Sequence, residues 1–475
     1  MMSDFAMDEK IREWIEQQQG ALLEDIAGFV RIPSVASYDP SSSYPFGERC
    51  AEALQYVLDL GQRYGFQTIN REYYCAEISI GDAAKRSVGI WGHADVVPAG
   101  KGWIYPPFAC TVRDGFLIGR GVQDNKGAVI AVLYALRFIQ ELGIPLNYHL
   151  RHIIGSGEEI GMHDVAYYRK HYTIPDFNIV ADSGFPVCYG EKGMLSVTLN
   201  CDLSDRSIVR LRGGEASNSV PGYAELVVRR DDAAIAKLSS LPPVIQYSES
   251  EEEIILSAAG KAGHAAFPHG TYNAIAVLLE PLLECAWFEG SVHKQLEKIY
   301  EICRYHDGLA LDIQCEDAIS GALTCVGTKL QAQDGKLALE LNIRYPIQQS
   351  SETMLQQLEG SGFTLSHVHI SEPSYYNPDT PEVDRLMKVY RDVTGERAEP
   401  FVMGGGTYAR KLSHAVGFGP GLPADLSPLH FPEGHGHIHG PDEVQSIPNL
   451  LTALKIYIKA LLELNELYKS KDDAG

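Results

Sequence analysis

The chain has 475 residues, 45% of them hydrophobic and 21% charged, with a formal net charge of −22. A single hydrophobic core stops growing at roughly 250–300 residues, so the length predicts at least two domains, and the ordinary composition excludes intrinsic disorder. The excess of carboxylates would repel a phosphate backbone, and no Lys/Arg-rich stripe offsets it, which argues against a nucleic-acid partner.

The first element, MMSDFAMDEKIREWIEQQQGALLEDI, has the pattern of an acidic amphipathic helix and lacks the basic and apolar regions of a signal peptide. The most apolar run, AVIAVLYAL at 128–136, falls far short of the ~20 residues needed to span a bilayer. Nine cysteines, an odd number without CxxC pairs, fit reduced thiols better than a disulfide framework. Together these features predict a cytoplasmic protein with no membrane partner.

Strand and helix patterns then alternate as in an open α/β sheet: SVGIW at 87–91, a helix over 126–142, YHLRHII at 148–154 and FNIVA at 177–181. His93 follows the first strand, Glu158 and Glu159 the second, and Asp182 the third. In such sheets ligands bind in the crevice beyond the carboxyl ends of the strands, so three strand ends supply polar groups to one crevice.

From Lys192 the texture changes to short strands broken by Gly and Pro, MLSVTLNCDL, RSIVRLRGG, AELVVRR and EEIILSAAG, with helical patterns at 272–287 and 291–305. This predicts an α+β insert. Helix patterns at 381–395 and 447–464 complete the chain. The expected organisation is a first catalytic part over 1–191, an insert over 192–378 and a second catalytic part over 379–475.

Five segments place His and carboxylate side chains beside Gly-rich turns: GHADVVPAG at 92–100, GRGVQDNKG at 119–127, GSGEEIG at 155–161, ADSGFP at 181–186 and HGHIHGPDE at 435–443. Imidazole and carboxylate donors without thiolate suit Zn²⁺, or Mn²⁺ and Co²⁺ in the same geometry. Taken singly, His93 reads as a strand-end histidine, Asp124 as a helix N-cap and Asp182 as a turn former. Glu158 and Glu159 resist such readings, because adjacent carboxylates repel unless a cation or a shared proton relieves them. Any of His435, His437 and His439 could bind metal; the first two otherwise read as flexible loop histidines.

With these motifs in order and spacing, and with GGEASNSVP, AGHAAFP and NIRYP in the insert, the chain resembles the aminoacylase, acetylornithine deacetylase, succinyl-diaminopimelate desuccinylase and carnosinase family, and its PepV-type bacterial dipeptidases in particular. The resemblance covers nearly the whole chain. It implies a zinc-peptidase-like catalytic domain, a central mixed sheet flanked by helices, with the insert as an α+β lid. It also implies two Zn²⁺ per chain, with Mn²⁺ or Co²⁺ as alternatives. Asp124 would bridge them, His93 and Asp182 would hold one, and Glu159 and His439 the other.

Glu158 would be the general base, and Asp95 the carboxylate that holds the His93 tautomer. A cis peptide is implied at Asp124-Asn125. In the lid, His264 would stabilise the oxyanion, while Asn218 and Arg344 would hold the carboxylate of a small peptide substrate. Gly405, Gly406 and Thr407, in GGGTYAR ahead of an expected helix, would form an anion nest for the same carboxylate. A lid of this length implies a complete site within one chain.

The implied activity is metal-dependent hydrolysis of dipeptides or short peptides. A deacylase or desuccinylase of N-acyl amino acids shares the same metal core. A non-catalytic metal-binding scaffold is disfavoured, because a base that ligates nothing has no structural reason to stand beside Glu159.

Overall fold

The computed structural model describes residues 4–203, 205 and 207–469. Met1–Ser3, at the start of the expected N-terminal helix, and Arg206, at the start of RSIVRLRGG, lie outside the described residues. The chain divides into two compact units. The first comprises Met1–Gly190, Tyr375–Phe401 and Gly406–Gly475, the second Glu191–Ser374 and Val402–Gly405.

The first unit is built on a mixed sheet whose strands run Gln67–Arg71, Cys75–Ile80, His149–Gly155, Ser87–His93, Phe177–Val180, Ala415–Phe418 and Val187–Glu191. Its centre is parallel: Ser87–His93 pairs in parallel with both His149–Gly155 and Phe177–Val180. Such strands are covered on both faces, and they read as apolar runs because few of their side chains see water. Their registers bring the polar groups beyond each strand to a common edge. His93 stands opposite Gly155, and Trp91 opposite Val180, so the three chains leave the sheet at one level.

The helix Lys126–Glu141 connects the first two of these parallel strands, and its residues are buried almost all round, as expected of a helix enclosed by other elements. It shares a core with the helices Asp4–Val30 and Ile447–Leu467. The Lys126 ammonium is buried and donates to the carbonyls of Phe29 (3.1 Å) and Ile32 (2.6 Å), satisfying oxygens at the end of the first helix. No helix among the described residues is long and apolar enough to cross a membrane, and no disulfide joins the cysteines there.

The second unit is an antiparallel sheet in the order Gln246–Glu249, Glu253–Ala259, Tyr223–Arg229, Ile208–Gly213, Thr324–Gln333, Lys336–Tyr345, Gly193–Asp202 and Thr364–Ser371. Along Gly193–Asp202 burial alternates, the mark of a sheet with one covered face. The helices Ala274–Glu284 and Gly290–Arg304 supply much of that unit's core. The unit ends at Ser374 rather than 378 and also takes in Val402–Gly405. The Lys192 N–H donates to the Met403 carbonyl at 2.9 Å, a contact made between residues far apart in the chain and so invisible to local pattern.

Candidate active site

His93 ends its strand fully buried. Its Nδ1 lies 2.9 Å from the backbone carbonyl of Asp95 and 3.4 Å from the Asp95 carboxylate. With Nδ1 donating there, Nε2 presents its lone pair to the crevice, 3.0 Å from Asp124 and 3.7 Å from Asp182. The part played by Asp95 is therefore wider than expected, its carboxylate near the imidazole but not confined to it. Its carbonyl makes the shorter contact to the imidazole, while its carboxylate accepts the N–H groups of Glu158 (3.2 Å) and Glu159 (3.1 Å). One buried residue thus orients a histidine with its backbone and the glutamate turn with its side chain.

The glutamates sit on a single 3-10 turn, Glu158–Ile160, directly after the second parallel strand. Asp164 braces the approach, accepting the N–H groups of Ser156 and Gly157 at 2.7 Å each and the Tyr408 hydroxyl. A side chain at Gly155 would come within 2.0 Å of that hydroxyl, and one at Gly157 within 2.2 Å of the Phe46 ring, so GSG is required by close approach.

Asp124 precedes a cis peptide, Asp124-Asn125. The buried Asn125 accepts the His93 N–H at 3.2 Å and donates to the Ala181 carbonyl (2.6 Å) and to Asp182 (3.0 Å). Its amide ties together the loops that carry His93, Asp124 and Asp182. On the far side, His439 Nε2 lies 3.0 Å from Asp124 and 3.1 Å from Glu159. The distances thus form two groups that share Asp124: His93 with Asp182, and His439 with Glu159.

Electrostatics follow from crowding four carboxylates around the buried His93 and the partly exposed His439. Burial pushes the Glu158 carboxyl well above the usual carboxylate range; Asp182, Glu159 and Asp124 add to the push, and His93 opposes it. Burial and Asp124 also raise Glu159. His439 is raised to about 10 by its contacts with Asp124 and Glu159. The Glu158 Oε1 atom is closed off from solvent and has no hydrogen-bond partner among the described residues. An oxygen-and-nitrogen donor set with excess negative charge and an orphaned carboxylate oxygen fits divalent cations. His93 with Asp124 and Glu159, and His93 with Glu158 and Asp182, each bring ligand atoms within 4.8 Å of one another.

Two other expectations change. His435 is no flexible loop histidine: its Nδ1 lies 2.6 Å from the buried Asp442, which also accepts the N–H groups of Ile104 and Tyr105. The helix expected after GGGTYAR is a four-residue 3-10 turn, Tyr408–Lys411, capped by the Thr407 hydroxyl, which accepts from Ala409 N–H. That weakens the helix-terminus argument for Gly405, Gly406 and Thr407.

In the second unit, the Asn218 carbonyl accepts the N–H of Ala265, next to His264, at 2.8 Å. Ser219 pairs with His264 in a short ladder. Arg344 is buried; its Nε donates to Asn342 Oδ1 at 2.9 Å and Nη1 to the Gly404 carbonyl at 3.1 Å. Asn342 in turn donates to the Ser217 carbonyl at 3.0 Å. Asn218, His264 and Arg344 thus belong to one connected network. Arg120, Asn125, Asp164, Tyr408, Asp442 and Glu443 were not singled out from sequence, although four of them lie inside the five Gly-rich segments.

The model of peptidase family M20/M25/M40 matches residues 89–463. A Bacillus subtilis (strain 168) protein named "Putative dipeptidase YtjP" is 33% identical over 462 residues, 93% of this chain and 97% of its own. The Beta-Ala-Xaa dipeptidase of Lactobacillus delbrueckii subsp. lactis is 28% identical over 480 residues, 97% of this chain and 99% of its own. Among solved structures, human carnosine dipeptidase 1 shares the fold with a TM-score of 0.57 at 18% identity, covering 97% of this chain and 99% of that one.

Proposed function

The chain belongs to peptidase family M20/M25/M40, and from that premise we propose that it hydrolyses the amide bond of dipeptides or short peptides bearing a free carboxylate. The observation that carries the reading is the buried, partnerless Glu158 Oε1 beside the ligand set His93, Asp124, Glu159, Asp182 and His439. Named relatives at 33% and 28% identity are dipeptidases by name and support the substrate class.

His93, Asp124 and Asp182 would hold one divalent cation, and Glu159 and His439, with Asp124, the other; Zn²⁺ suits the donors, with Mn²⁺ or Co²⁺ as substitutes. Bound there, the pair supplies Lewis acidity for ionising water and polarising the scissile carbonyl. Glu158 accepts the proton of the attacking water on its carboxylate and returns it to the leaving amine, a role open to a carboxylate that ligates no metal. Asp95 positions rather than reacts, fixing the direction of His93 Nε2 and the backbone of the glutamate turn.

The substrate carboxylate is assigned to Asn218, Arg344 and the Gly405, Gly406 and Thr407 backbone, and the oxyanion to His264. The Arg344 fork, held at Nε and Nη1, supports its part, since a guanidinium already fixed loses little freedom on clamping a carboxylate. The reading includes a site complete in one chain and a cytoplasmic location.

The test is a panel of dipeptides, C-terminally amidated dipeptides and N-acyl amino acids, assayed with protein reconstituted in Zn²⁺ or Mn²⁺. Free dipeptides should be the best substrates by roughly tenfold or more in kcat/KM, a margin within what unpaired polar groups in a site can enforce. Turnover confined to N-acyl amino acids would replace the dipeptidase reading with a deacylase.

A further inference from the structure

A cavity of about 230 Å³ lies in the first unit, walled in part by the residues that precede two of the ligands in sequence. Gln123, which immediately precedes Asp124, forms part of its wall, and Ile438, which immediately precedes His439, forms another. Because Asp124 and His439 meet at 3.0 Å, the cavity is bounded by the two segments that converge on that contact. At about 30 Å³ per water it has room for seven or eight waters, enough for a branched aliphatic side chain.

Its chemistry can be read from what its polar residues have already committed. Asn449 donates its amide N–H groups to the carbonyls of Leu422 (3.1 Å) and Pro423 (3.0 Å). Gln445 donates to the Ser446 carbonyl at 2.9 Å. Both donors of Asn449 and one of Gln445 are thus committed within the chain, and Leu422, Leu426, Ile438 and Val444 offer apolar surface. No Lys or Arg lines it, and His437 is its one titratable side chain among the described residues. In a chain of net charge −22, a carboxylate side chain would find largely apolar walls and no Lys or Arg to pair with there.

We propose that this cavity receives the side chain of the residue on the amino side of the scissile bond and selects uncharged aliphatic residues. The inference rests on the dipeptidase reading, which assigns the carboxylate side to Asn218, Arg344 and Gly405, Gly406 and Thr407.

Ala424 lies exposed on the cavity's rim, so a larger side chain there intrudes on the cavity without entering a core. The experiment measures kcat/KM of the metal-loaded full chain for Leu-Gly, Asp-Gly, Phe-Gly and Gly-Gly. The unsubstituted enzyme should prefer Leu-Gly to Gly-Gly and to Asp-Gly by roughly tenfold or more, the range a hydrophobic pocket can enforce. Ala424→Trp should lower the Leu-Gly to Gly-Gly ratio by about the same factor. Leu426→Ala, which widens the cavity, should shift preference from Leu-Gly toward Phe-Gly, and it decides the matter if the first variant does not fold. Ratios that neither variant moves, or a preference for Asp-Gly, overturn the cavity assignment and leave the dipeptidase reading intact. An unsubstituted enzyme that cleaves none of the dipeptides overturns both.

Discussion

Arg120 and Glu443 meet at 2.6 Å in an ion pair almost wholly closed off from solvent, and through it the loop of Asp124 is joined to the loop of His439. The Glu443 carboxylate also accepts the N–H groups of Gly121 (3.1 Å), Gln123 (3.0 Å) and Asp124 (3.1 Å). Arg120 donates its other terminal nitrogen to the His439 carbonyl at 3.1 Å. Groups that orient metal ligands in this way typically change metal affinity by about 10- to 100-fold when altered. Glu443→Gln, which keeps the shape and removes the charge, should weaken Zn²⁺ binding by that factor in calorimetric titration of chelator-stripped protein. Glu443→Ala leaves a buried guanidinium unpaired and should cost roughly 3–5 kcal/mol of stability as well. Unchanged affinity in both variants would reduce the pair to a structural contact.

Removing metal should cost stability, because crowded carboxylates then face one another without a cation. A ligand at 100 times its Kd stabilises the folded state by about 2.7 kcal/mol. Stripping with a chelator should therefore lower the thermal midpoint by several degrees, and adding Zn²⁺ or Mn²⁺ should restore it. A midpoint indifferent to both treatments counts against the metal centre.

Arg344→Ala should raise KM for dipeptides with a free carboxylate and leave C-amidated dipeptides much less affected, since the lost interaction is with the carboxylate itself. Equal loss on both substrate types would assign Arg344 to holding Asn342 and Gly404 in place.

Acid should destabilise the first unit through Glu77. Burial alone would raise this carboxyl, but Arg151 and Arg71, each donating to it at 2.8 Å, hold it below its ordinary 4.5. A carboxyl whose affinity for protons is lowered by folding contributes stability that is fully present above 4.5 and lost as pH falls through its folded value. Denaturant midpoints of the metal-free protein should fall more steeply below that pH than those of Glu77→Gln; parallel curves would contradict the assignment.

Much of this was legible in the sequence because it was local. Apolar runs that end in a polar residue mark parallel strands entering a crevice; His93 ends one, and Glu158, Glu159 and Asp182 follow shortly after two others. His439 could be selected only through the family motif, since His435 and His437 have the same spacing. Local pattern failed where function is fixed by a distant partner. Asn125 and Glu443 are ordinary polar residues until the fold brings His93 and Asp182 to one and Arg120 to the other. Asp95 was read through its side chain, whereas its backbone carbonyl makes the closer approach to His93, and backbone groups carry no residue-type signal. The helix expected after the glycine run is four residues of 3-10, because the chain turns extended at Leu412 and enters the strand Ala415–Phe418 soon after.

The proposed mechanism depends most on a division of labour between adjacent glutamates, and metal content measured side by side with turnover in Glu158→Ala tests it most directly. The variant and the unsubstituted protein should each bind two divalent ions per chain, while kcat of the variant falls by about 10²–10⁴ or more. Retained turnover would remove Glu158 as the base, and loss of a bound ion would make it a ligand instead.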